Sequence, residues 1–181
     1  MDSVLAYFIT FSCYGTWLQG DERGSVDREH NESGTPFVPA NEAHLKAMRE
    51  RMDQPPYSLD AARRMAVLAS IEEVCTFRGW HLLAAHVRSN HAHVIVQAEG
   101  TTPERVMNDL KSYASPRLNE LKCDPEGRKR WTRHGSTRYL KMTKELEEKV
   151  RYVVNGQGEP MAVYPRSGPR PSESEDVENA P

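Results

Sequence analysis

Ser89-Asn90-His91-Ala92-His93-Val94-Ile95-Val96-Gln97 is the stretch whose reading decides the fold. It is short, β-branched and entered from a polar turn, the pattern of a strand in a hairpin. Side chains alternate faces along a strand. His91 and His93 therefore point one way, and Ala92, Val94, Val96 and Ala98 point the other, toward a core. Two imidazoles side by side make half of a site for a divalent metal ion. An isolated His-x-His is more often a solvated strand face, so the metal reading needs support from the rest of the chain.

Working outward, Trp80 to Val87 reads as the partner strand, joined through the turn Arg88-Ser89-Asn90. Upstream, Val67, Leu68, Ile71, Val74 and Cys75 form a helical stripe that is capped by Ser58, with Asp60 in its first turn, and ends near Gly79. Ala6 to Tyr14 alternates as a first strand, and Asn41 to Asp53 forms a short helix capped by Asn41. Between them, Gly15 to Ala40 is an irregular Gly-, Asp- and Pro-rich loop. Downstream, Thr101-Thr102-Pro103-Glu104 opens a helix with a capping box on Thr101, and Pro116 predicts a break near Ser115. Gly135 to Leu140 reads as an edge strand, and Thr143 to Val154 as a last helix. The order β-α-β-β-α-β-α predicts an α+β fold: a ferredoxin-like split βαβ with an antiparallel sheet and helices on one face.

The 181 residues predict one domain over 1–165 and a disordered acidic Pro/Ser tail over 166–181. The tail accounts for the net charge of -2. The body is neutral but uneven. Lys111, Arg117, Lys122, Arg128, Lys129, Arg130, Arg133, Arg138 and Lys141 face only Glu120, Asp124 and Glu126, a stripe suited to a phosphate backbone. Three scattered cysteines (Cys13, Cys75, Cys123) predict a reduced, cytoplasmic protein. No basic lead precedes the first apolar stretch and no segment approaches a membrane span, so neither a signal peptide nor a membrane partner is expected.

Asn90-His91-Ala92-His93-Val94-Ile95-Val96, with the helix Val106–Tyr113, the later Trp131 and the Leu146–Val154 helix, resembles the HUH single-tyrosine transposases. The nearest subgroup is the REP-associated tyrosine transposases and their insertion-sequence relatives, and the resemblance covers about Leu5 to Pro165. It implies an enzyme that cleaves and rejoins single-stranded DNA, with hairpin structure, as a homodimer. It also implies Mg²⁺ or Mn²⁺ held by His91, His93 and a third polar side chain, for which Asn119 is favoured over Glu120 and Gln97. A tyrosine attacks phosphorus to give a 5′-phosphotyrosine and a free 3′-OH. Tyr113 is the expected nucleophile and Tyr139 the runner-up. Lys111, Arg117, Arg128, Lys129, Arg130, Trp131 and Arg138 are the expected DNA contacts, with Trp131 either stacking on a base or packed in the core. The alternative is a domesticated DNA-binding protein of the same fold without strand transfer.

Overall fold

The computed structural model describes residues 4–16 and 42–165. The Gly15–Ala40 loop beyond Thr16, the Asn41 cap and the acidic tail lie outside the described residues. In chain order the elements are β1 (Ala6–Cys13), α1 (Glu42–Glu50), α2 (Ala61–Arg78), β2 (His81–Val87), β3 (His91–Gln97), α3 (Pro103–Glu120), β4 (Trp131–Leu140), α4 (Thr143–Asn155) and β5 (Ala162–Tyr164).

All strand pairs are antiparallel, and the sheet order is β4-β1-β3-β2-β5. The first four strands in this order, with α2 and α3 as crossovers, form the expected ferredoxin-like split βαβ unit; β5 adds an edge that the sequence pattern does not reveal. Asp60 rather than Ser58 caps α2, its carboxylate accepting from the Arg63 amide at 2.8 Å. Thr102 rather than Thr101 caps α3. The helix runs unbroken through Pro116 to Glu120, whereas the sequence predicts a break near Ser115. One missing N–H costs a helix less than exposing the apolar residues that α3 buries on both sides of the proline, Ala114 and Leu118.

The core lies on the Ala92/Val94/Val96 face. Ile9, Phe11 and Cys13 of β1 join these residues against Val67, Leu68, Ile71 and Val74 of α2 and Val106, Leu110 and Leu118 of α3. The expectation of helices on one face holds for α2 and α3 but needs correction for α4, which crosses the opposite face. There Val153, with Leu146, Val150 and Val154, packs on Ala6, Ala84, Ile95 and Leu140. The reason is Ile95. It falls on the same face as His91 and His93, and an apolar patch on a sheet face must be covered. The histidine face is thus half-roofed by α4 and open at the His91 end.

Candidate active site

One row of side chains crosses the sheet at the level of His93. Ser136 stands opposite Thr10, Thr10 opposite His93, and His93 opposite His86. Directly opposed residues share a face, so all four point toward the α4 side. His91, two residues before His93, lies opposite Ser12.

The two imidazoles of the pair have ring centroids 4.7 Å apart. Each has its Nδ1 engaged: His93 with the Thr10 hydroxyl at 2.7 Å, and His91 with Asn90 Oδ1, also at 2.7 Å. An amide oxygen only accepts, so His91 Nδ1 carries the proton and its lone pair sits on Nε2. Partners on Nδ1 that fix the ring and leave Nε2 as the ligating atom are what metal-binding histidines require. Burial pushes His93 down to about 3, with the charges of His91, His86, Arg88 and Lys149 acting in the same direction. The ring is therefore neutral at physiological pH, as a ligand must be. These residues fit a divalent ion. No group of three His, Cys, Asp or Glu side chains forms among the described residues, so the remaining ligands would be amide, water or phosphate oxygens.

The tyrosine beside this pair is Tyr152 of α4. Its ring centroid lies 5.9 Å from that of His93, and Phe8, stacked on His93 at 5.4 Å, meets Tyr152 edge-on at 6.5 Å. Lys149, one turn earlier on α4, sets its ammonium 5.5 Å from the centre of the Tyr152 ring and 5.4 Å from that of Phe8. Sequence reading misses Tyr152. The available signal is the Lys149-x-x-Tyr152 spacing on a helix whose apolar stripe needs a sheet face to cover.

The expected nucleophiles stand elsewhere. Tyr113 is on α3, behind the sheet, where it meets Phe77 at 6.3 Å and the Arg78 guanidinium at 6.0 Å. Tyr139 packs edge-on against Tyr7 at 5.3 Å, and Tyr7 shares the face of Ile9 and Phe11. Asn119 is exposed at the end of α3, its carbonyl accepting from the Lys122 amide at 3.0 Å, with the sheet between α3 and the histidine pair. The apolar stripe of α3 carries it to the core face and takes all its side chains with it.

Much of the basic stripe is engaged in internal contacts, although only Lys111 and Arg130 are buried and Lys122, Lys129, Arg133, Arg138 and Lys141 stay exposed. Lys111 is buried, and its ammonium donates to the carbonyls of Thr132, Arg133 and His134 at 3.0, 3.4 and 3.1 Å; burial pushes it down to about 8. Arg128 donates to Gln54 and to the carbonyls of Pro55 and Pro56, and Lys129 pairs with Asp53. Arg130, 8% exposed, pairs with Asp124. Arg117 pairs with Glu73 and Glu120. Trp131 packs edge-on against Phe11 at 5.2 Å and donates its indole N–H to Ser115 Oγ at 3.0 Å, which decides for core packing. Of the expected DNA contacts, only Arg138, paired with Glu145, lies on the histidine side, opposite Phe8.

The fold thus brings a histidine pair on a central strand and a tyrosine on a covering helix to one face of the sheet. Residues 58–155 match the family described as transposase IS200 like, and the chain belongs to that family. No curated protein matches the sequence. Among solved structures, a REP-associated tyrosine transposase bound to a REP hairpin is similar at 12% identity and a TM-score of 0.46, over 84% of this chain. The chain spans 66% of the length of that protein. No helix of the described residues is long and apolar enough to cross a membrane.

Proposed function

We propose that this protein cleaves and rejoins single-stranded DNA through a covalent tyrosine intermediate, with Tyr152 rather than Tyr113 as the nucleophile. The observation that carries the reading is the 5.9 Å approach of the Tyr152 and His93 rings on the face where α4 roofs the sheet. His91 and His93 would hold Mg²⁺ or Mn²⁺, which when bound supplies Lewis-acid polarisation of the scissile phosphate. Tyr152 Oη loses its proton and bonds to phosphorus; the P–O3′ bond breaks, and the departing 3′-oxygen takes up a proton. A phenol in water gives up its proton only near pH ~10. The ammonium of Lys149 beside the ring is placed to offset the charge that develops on the phosphoryl oxygens. Thr10 and Asn90 hold the two imidazoles in orientation. The proposed substrate is a single strand flanked by hairpin structure, and the proposed active form is a homodimer.

The test is incubation with single-stranded DNA and Mn²⁺, read as a covalent protein–DNA adduct on a denaturing gel. Wild type, Tyr113→Phe and Tyr139→Phe should form adduct, and Tyr152→Phe should not. Adduct from Tyr152→Phe, with none from Tyr113→Phe, would return the role to α3. A second reading, a DNA-binding protein without strand transfer, draws on the lack of a third His, Cys, Asp or Glu ligand among the described residues. Wild type that binds DNA and Mn²⁺ but forms no adduct would establish it.

A further inference from the structure

His86 is a fully buried histidine that the proposed chemistry does not use. It stands opposite His93 in the β2–β3 ladder, but both its nitrogens face away from metal chemistry. Nδ1 donates to the carbonyl of Val153 at 3.0 Å, and Nε2 accepts the Met161 amide N–H at 3.2 Å. The first bond matters most. Val153 lies in the last turn of α4, where backbone carbonyls have no partner within the helix. Its side chain is fully buried on Ala84 and Ile95, so side chain and carbonyl together fix the rotation of this turn. Its neighbour in sequence is Tyr152. The second bond, with Arg88 donating to the Glu159 carbonyl at 2.8 Å, fastens the segment that follows α4 to the end of β2.

We infer that His86 is the positioning residue that sets Tyr152 over His93, acting through the Val153 carbonyl. The inference rests on the proposed role of Tyr152, but the placement can be read without catalysis. Without this tie, the end of α4 keeps the Gly156 amide, donating to the Tyr152 carbonyl at 2.8 Å, and the buried Val153 side chain, but loses the polar bond that joins its last turn to the sheet. Helix ends fray, and residues one apart in a helix point about 100° apart. A slight unwinding therefore carries the phenol off the imidazole.

Two substitutions separate the ties. An Asn amide reaches the place of Nδ1 and can still donate to Val153, but it stops short of Met161. A Gln amide reaches the place of Nε2 and can still accept from Met161, but leaves the Val153 carbonyl unmet. NMR would read the proximity of the Tyr152 and His93 ring protons in metal-free protein, and single-turnover adduct formation would read the consequence. His86→Asn should keep the two rings together and an adduct rate within about tenfold of wild type. His86→Gln should separate the rings and lower the rate about 100-fold, with DNA affinity unchanged, the penalty expected of a misplaced nucleophile. Equal losses in both variants, or a His86→Gln that keeps the rings together, would reduce His86 to a residue of general stability. If wild type shows the ring proximity and its variants behave as expected but no protein forms adduct, the positioning stands and the strand-transfer reading fails. Wild type also carries its own check: the His86 Hδ1 proton, buried and bonded to the Val153 carbonyl, should be protected enough from solvent exchange to give a resolved NMR signal. Rapid exchange of Hδ1 would overturn the inference even if neither variant folds.

Discussion

Arg130→Ala should unfold the protein more readily and leave DNA binding alone, the reverse of what its place in a basic run suggests. The Arg130 side chain is 7% exposed and that of its partner Asp124 is 6% exposed. Nε and Nη2 donate to Asp124 Oδ2 at 3.1 and 3.0 Å, and Nη1 donates to the Ser115 carbonyl at 3.2 Å. Removing one partner of a buried ion pair costs about 3–5 kcal/mol when the other charge is left alone. Here it is not alone. Arg63 reaches Asp124 Oδ1 at 2.7 Å, and the Tyr57 hydroxyl donates to Oδ2, also at 2.7 Å. The loss therefore belongs at the lower end, about 3 kcal/mol. In a chain of this size that lowers Tm by roughly 6–12 °C. Arg130→Lys keeps a charge but loses the two-pronged geometry, and should fall between. The assay is thermal or urea denaturation, alongside titration with single-stranded DNA at two salt concentrations. Were Arg130 instead bound to a DNA phosphate, its removal would weaken binding and flatten the salt dependence by about one counterion. Unchanged Tm together with that weakening would refute the reasoning and return Arg130 to the DNA surface.

Three further outcomes follow, one from the partner of Arg130 and two from the histidine pair. Burial alone would raise the carboxyl of Asp124, but hydrogen bonds from Tyr57, Arg63 and Arg130 outweigh it and hold the group below the usual carboxylate range. Its stabilisation is thus complete above the unfolded value of ~3.9 and is lost as pH falls through the lowered folded value. Asp124→Asn should be less stable at neutral pH and show a flatter acid limb in denaturation below pH ~5, and an unchanged limb would exclude Asp124 as the titrating group. Thr10→Val keeps the shape of the side chain and removes the partner of His93 Nδ1, so Mn²⁺ affinity measured by calorimetry should fall by about tenfold or more. His91→Ala should abolish that binding, and equal affinity in either variant would separate the histidine pair from the metal.

The strand bearing the histidines, the hairpin before it and the order of the ferredoxin-like unit are legible in the sequence because each rests on a local period. What a period leaves open is the face against which an element packs. The stripe Leu146, Val150, Val153, Val154 announces an amphipathic α4, and equally allows either side of the sheet. Ile95 holds the answer, standing on the histidine face two residues past His93 where a solvated face would carry a polar group. A reading of β3 as apolar on one face alone leaves α4 with the other helices. It then looks for the tyrosine on α3, the nearest helix in sequence, which packs on the face away from the histidines. Three-residue β5 has too little pattern to announce itself; its pairing with β2 is tertiary.

The internal pairing of the basic run has a physical cause in the segment it fastens. Between α3 and β4 the chain reads Leu121-Lys-Cys-Asp-Pro-Glu-Gly-Arg-Lys-Arg130, with almost nothing apolar to bury. Such a segment can be ordered only by polar contacts. Asp124 supplies one anchor to Arg63 and Arg130, while Arg128 and Lys129 reach across to Gln54, Asp53 and the prolyl carbonyls. Arg128 also lies over the Tyr57 ring at 5.0 Å. A guanidinium saturated by carbonyls and a ring has little left for a phosphate. Charge counted along a sequence therefore overstates the field at the surface wherever a polar connector must be tied down. Among the described residues, the cations seen in contact on the histidine face include Lys149 beside Tyr152 and Arg138 opposite Phe8, with Arg88 at the end of β2. A strand docking at His91 meets few positive charges from the described residues. Its affinity should lean on the metal-held phosphate more than on counterion release, and should fall less steeply with salt than the nine basic residues between Lys111 and Lys141 would imply.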